Sequence, residues 1–101
     1  MSEQEQKRII TPNMCAWPDD EHNTSHIEIE LPGVEKDAIK LRMHEDSFYI
    51  SGETDKVRYI GSYALCCPIV PEEAKATYKE GLLTIDVPYK TKFESINVKI
   101  D

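Results

Sequence analysis

The side chains able to do chemistry in this 101-residue chain are few and scattered. Three histidines (His22, His26, His44) and three cysteines (Cys15, Cys66, Cys67) are the potential metal ligands or nucleophiles. A structural zinc site needs paired spacings such as Cys-x-x-Cys with a matching second half, and no such pair occurs, so no metal site is expected. Gly33, Gly52, Gly61 and Gly81 build no phosphate-binding loop, and there is no Gly-x-Ser-x-Gly nucleophile elbow. The acid pairs Asp19–Asp20, Glu45–Asp46 and Glu72–Glu73 fall in segments that read as turns, where carboxylates are ordinarily solvated. Trp17 beside Pro18 could anchor a partner, although a sandwich edge usually buries its one tryptophan. The expectation is a protein with no catalytic residues, no cofactor and no small-molecule substrate. Cys66 and Cys67 read as strand residues pointing to opposite faces, which would keep them from bonding to each other; a redox-sensing pair is the alternative.

Size and charge narrow the class further. One domain is all that 101 residues support, with a core too small to wall a deep cavity. Lys and Arg total 12 against 19 for Asp and Glu, a net charge of −7. Nucleic acid is therefore not an expected partner, because phosphate neutralisation needs a basic stripe. No apolar run has the length of a membrane-spanning helix, and Met1–Arg8 is too polar to read as a secretory signal. With an odd number of cysteines, reduced thiols and a cytoplasmic location are expected.

The elements that would position any site are short strands. His26–Leu31 alternates strictly, with Ile27, Ile29 and Leu31 on one face and Glu28 and Glu30 on the other. Pro32–Gly33 ends it with a turn, and Val34–Ala38 reads as one irregular turn. Ile39–His44 alternates again, and Glu45–Asp46 connects it to Ser47–Ser51 as a hairpin. Val57–Ile69 is rich in β-formers, with Gly61 suggesting a bulge. Lys75–Lys79 and Leu82–Val87 follow, joined by Glu80–Gly81. Residues 1–12 read as a short mobile arm, 13–88 as the body, and 89–101 as an extension carrying Ile96, Val98 and Ile100 in alternation. Ile9–Ile10 could be a contact or a frayed end. No stretch shows a helical period, and this spacing of strands predicts an all-β, immunoglobulin-like antiparallel sandwich.

The order of short motifs resembles the small heat-shock protein family and its α-crystallin domain. Glu30–Leu31–Pro32–Gly33–Val34 followed by a strand at Ile39 resembles that domain's early block, and Ile50–Ser51–Gly52–Glu53 the strand end after it. Ala76–x–Tyr78–x–x–Gly81–Leu82–Leu83 is similar to the family's Ala-x-x-x-Asn-Gly-Val-Leu signature, with Glu80 and Leu82 in place of Asn and Val. Ile96–Asn97–Val98 resembles the C-terminal Ile-x-Ile/Val motif, with Val98–Lys99–Ile100 as an overlapping register. Two features depart from the family. Only Glu53–Arg58 separates Gly52 from Tyr59, too short for the swapped strand of bacterial and archaeal members. The amino-terminal arm is short and polar.

The resemblance implies an ATP-independent chaperone, a holdase that binds unfolding polypeptides and prevents their aggregation. It also implies a groove for extended segments lined by Ile39, Leu41, Met43, Ala76, Tyr78, Leu83 and Ile85, into which Ile96, Val98 and Ile100 would dock, in cis or in trans. Unfolded client proteins and further copies of the chain are the expected partners, with no nucleic acid and no membrane. Two alternatives stand beside this reading. The tail triplet could be a last strand of the sandwich. The body could instead be a co-chaperone or adaptor module with the same sandwich, recruiting a folded partner.

Overall fold

A computed structural model describes residues 7–91 and 96–101 and shows two four-stranded sheets packed face to face. The strands in chain order are β1 (Arg8–Ile10), β2 (Met14–Asp19), β3 (Thr24–Glu30), β4 (Lys40–Met43), β5 (Ser47–Glu53), β6 (Val57–Ala64), β7 (Lys75–Lys79) and β8 (Leu82–Pro88). One sheet has the order β1-β6-β5-β4 and the other β2-β3-β8-β7. All neighbours are antiparallel except β1, which lies parallel to β6 with Arg8 opposite Val57 and Ile10 opposite Tyr59. The segment expected to be a mobile arm thus contributes a strand to the sheet edge.

The core follows from the period-two patterns. Ile27 stands opposite Ile85 and Ile29 opposite Leu83 on the inner face of β3 and β8, while Phe48 and Ile50 of β5 face them from the other sheet. Val34, Ile69, Val87 and Tyr89 complete this interior. Each fully buried aliphatic side chain contributes about 1.5–3 kcal/mol by leaving water. Tyr89 bridges to Ile69, so the sandwich extends one residue past Pro88.

Turns are set by local chemistry. Leu31–Pro32–Gly33–Val34 has the type II signature: the Val34 N–H donates to the Leu31 carbonyl at 3.2 Å and Gly33 sits at φ +80°. The short segment after it holds a 3₁₀ turn at Lys36–Ala38. Between β5 and β6 the Thr54 N–H donates to the Val57 carbonyl at 2.8 Å, and Thr54 Oγ1 accepts from the amides of Lys56 and Val57. Among the described residues no further strand stands between β5 and β6.

Two sequence expectations are corrected here. Gly61 makes no bulge, since β5 and β6 pair without interruption from Ser47–Ala64 to Glu53–Arg58. Glycine is needed there for space: a Cβ would stand 2.7 Å from the Tyr63 ring, which folds over that position and packs on Phe48 at 5.1 Å. The second concerns Cys66 and Cys67. β6 ends at Ala64, so the pair lies in a bend and the alternation of a strand does not separate them; their sulfurs are 3.2 Å apart.

Candidate functional site

Strand β4 is the last strand of its sheet and β7 the last of the other, on the same side of the sandwich. Among the described residues each has one side free of strand partners, so both offer backbone N–H and C=O groups along the seam. Between them lies a cavity of about 360 Å³ lined by Lys36, Ile39, Leu41, Ala76, Thr77, Tyr78 and Leu83.

Each lining residue has a reason to be there. Ile39 leaves the 3₁₀ turn in extended conformation, and Leu41 follows two residues later on the same face of β4. Gly52 lets this wall approach: a Cβ there would meet Val34 Cγ1 at 3.1 Å and Ile39 Cγ1 at 3.7 Å. Across the seam, Ala76 and Tyr78 point inward from β7 opposite Ile85 and Leu83. The Tyr78 hydroxyl proton is shared between the carbonyls of Leu31 at 2.8 Å and Val34 at 2.7 Å, which anchors β7 to the Pro32–Gly33 turn. Burial holds the Tyr78 phenol above its ordinary pKa, so it is a neutral donor.

Of the residues singled out in the sequence, the structure brings Ile39, Leu41, Ala76, Tyr78 and Leu83 together around one cavity. Two are placed elsewhere. Ile85 is 0% exposed at the centre of β8, beside its cross-strand partner Ile27, and belongs to the core. Met43 lies at the end of β4 and lines a neighbouring, more open cavity of about 690 Å³ with His44, Ile69 and Pro71, across which Lys90 Nζ meets Glu45 Oε2 at 2.6 Å. Sequence reasoning missed Lys36 and Thr77. Lys36 sits in an irregular turn that has no period to read, and Thr77 lies between two inward-facing residues. The two edge strands carry exposed basic residues, Lys40 and Arg42 on β4 and Lys75 and Lys79 on β7.

The tail does not occupy this groove. Ile96, Val98 and Ile100 are 80%, 78% and 89% exposed and form no strand. Trp17 is also 46% exposed, packed on His26 at the outer face of the β2–β3 pair. On the β2–β3 turn, Asp19, Glu21 and His22 place potential ligand atoms within 4.8 Å of one another. The 2.8 Å ion pair of His22 Nδ1 with Asp19 Oδ2 explains that cluster; it raises the His22 pKa and lowers that of Asp19. No described helix is long and apolar enough to cross a membrane.

No family model matches the sequence. The chain is 31% identical over 91 residues to small heat shock protein C4 of Rickettsia felis, a match that takes in 74% of this chain and 56% of that protein. It therefore spans about half the length of the curated relative. The 91 aligned positions exceed the residues that this chain supplies to them, so the relative has residues in that stretch with no counterpart here. Among solved structures, the fold is similar to heat shock protein 16.0 of Schizosaccharomyces pombe (TM-score 0.71, 19% identity, covering 90% of this chain and 98% of that one). It is also similar to a small heat-shock protein of Xylella fastidiosa described as having a distinct high order structure (TM-score 0.67, 16% identity, 90% and 96% covered).

Proposed function

Because this chain belongs to the small heat-shock protein family, with an α-crystallin domain as its body, we propose that it is an ATP-independent holdase whose β4–β7 groove takes extended apolar segments of unfolding polypeptides. The observation that carries this reading is an apolar cavity of about 360 Å³ flanked by two unpaired sheet edges. An extended chain entering it adds main-chain hydrogen bonds at an edge and sinks alternate side chains between Leu41, Ala76 and Leu83, the β-augmentation mode. Each aliphatic side chain buried there contributes about 1.5–3 kcal/mol before ordering costs, so binding stays reversible.

The tail is the groove's resident competitor. Its apolar residues are exposed in the single chain, and their alternation matches what the groove accepts, so Ile96 and Val98 dock in the groove of a second copy. Clients displace them when unfolded protein accumulates. Three free cysteines suit a reducing compartment, and the cytoplasm is where we place this activity. No catalytic step is involved.

The test is light scattering from a heated model client without ATP. Wild-type protein in excess suppresses the rise, and Leu41→Glu, which places a charge in the groove, loses most of the protection while keeping its β-sheet circular dichroism. Unsuppressed scattering with the wild-type chain would overturn the holdase reading and leave the adaptor reading in its place.

A further inference from the structure

Cys66 and Cys67 lie away from the groove, on the crossover from β6 to β7, and the holdase reading makes no use of them. Their sulfurs are 3.2 Å apart; Cys66 is exposed and Cys67 half-exposed. The backbone on either side is fixed. The Leu65 N–H donates to the Asp46 carbonyl at 2.8 Å, the Ile69 N–H to that of Glu45 at 2.9 Å, and the Lys90 N–H to that of Pro68 at 2.9 Å. A disulfide needs its sulfurs at about 2.05 Å and usually spans Cα atoms about 4.4–6.8 Å apart. Adjacent Cα atoms across a trans peptide are only about 3.8 Å apart, and there is no cis peptide here. The pinned backbone therefore opposes closure.

Structural zinc is equally unsuited, since it takes four ligands. The one group of three or more potential ligands among the described residues is Asp19, Glu21 and His22, so no third ligand joins the two thiols. The spacing fits a single atom bonded to both sulfurs: bonds of about 2.3 Å, the zinc–thiolate length, meeting near a right angle leave the sulfurs about 3.3 Å apart. Pyramidal trivalent arsenic makes bonds of this kind.

A second observation narrows the ligand. Cys66 also lines an apolar cavity of about 150 Å³ in the seam between β2 and β6, with Met14, Ala16, Trp17, Phe48 and Tyr63. An apolar cavity of about that volume accepts a benzene ring.

We propose that Cys66, Cys67 and this cavity form a capture site for aryl trivalent arsenicals, the two sulfurs chelating arsenic and the ring entering the cavity. The reaction is a condensation. Two S–H bonds break, two As–S bonds form, and the oxide oxygen leaves as water with both protons; arsenic stays trivalent and nothing is oxidised. The contact with Cys66 and burial raise the Cys67 thiol above its ordinary pKa. Cys66 is the more exposed of the two and meets the reagent first.

The probe is phenylarsine oxide added to the reduced full chain. Native mass spectrometry should show one adduct per chain, and titratable thiols should fall from the three of the sequence to Cys15 alone. The tryptic peptide Tyr59–Lys75 should carry the arsenic, and ethanedithiol should remove it. Cys66→Ser and Cys67→Ser should each weaken capture by about a hundredfold, the effective concentration lost with the second sulfur. Cys15→Ser should bind like wild type, and circular dichroism checks that every variant is folded. Ala16→Leu, which narrows the cavity, should weaken phenylarsine oxide severalfold and leave inorganic arsenite unchanged. Undiminished capture in either Cys66→Ser or Cys67→Ser, loss in Cys15→Ser, or an adduct bridging two chains would overturn the dithiol site. Equal responses of the two arsenicals to Ala16→Leu would overturn the role of the cavity.

Discussion

His26 lies on the outer face of β3, held between two carboxylates and an aromatic ring. Its Nδ1 is 2.6 Å from Asp86 Oδ1, its Nε2 3.1 Å from Glu28 Oε2, and its ring centroid 4.6 Å from that of Trp17. The hydrogen bond to Asp86, then that to Glu28, raises its pKa above the ordinary 6.5, against a smaller opposing effect of burial. A raised folded-state pKa means that the stabilisation is fully present below pH 6.5 and is lost as pH rises through the folded value. The expected NMR titration midpoint of His26 is above 6.5, and Asp86→Asn moves it back toward 6.5. His26→Gln should cost more stability on the acid side of that window than on the alkaline side. A wild-type midpoint at or below 6.5 would show that these contacts do not hold in solution. This arrangement was not legible from the residues alone, because its members come from β2, β3 and β8 and are brought together by strand register.

The turn between β7 and β8 carries the clearest local strain. Glu80 and Gly81 have φ of +51° and +82°, as a two-residue hairpin with a primed turn requires. Glycine adopts this backbone freely, whereas an ordinary side chain in the left-handed region costs about 1–2 kcal/mol. Asparagine tolerates it better, so Glu80→Asn should stabilise the domain by about 0.5–1 kcal/mol and raise Tm by several degrees. Thermal unfolding checks this, and an unchanged or lower Tm would count against a strained turn. At this scale much was legible. Alternation located β3, β4, β5 and β8, and Glu80–Gly81 located their last hairpin. What escaped were features set by partners distant in sequence. Arg8–Ile10 is too short to show a period and becomes a strand only beside β6. Alternation put Leu83, Ile85 and Val87 on one face, but only the packing shows that Leu83 reaches the seam while Ile85 is fully buried beside Ile27.

For the molecule as a whole, the proposed reading pairs the groove of one copy with the tail of another. If they meet between copies, mass by size-exclusion chromatography with light scattering should rise with concentration. Ile96→Ala combined with Val98→Ala should abolish that rise, and a peptide of residues 94–101 added in excess should suppress it in wild type. A mass that is the same for both proteins at all concentrations would exclude tail-mediated association.

The pairing of β3 with β8 runs from Glu30–Leu82 to Thr24–Pro88, with most of the chain lying between the two strands. The β4–β5–β6 meander closes through short hairpins and can form as soon as it is synthesised, whereas Ile27 and Ile29 find their β8 partners, Ile85 and Leu83, only once β8 has left the ribosome. During its own birth this protein exposes the kind of alternating apolar strand that it would later shield in others.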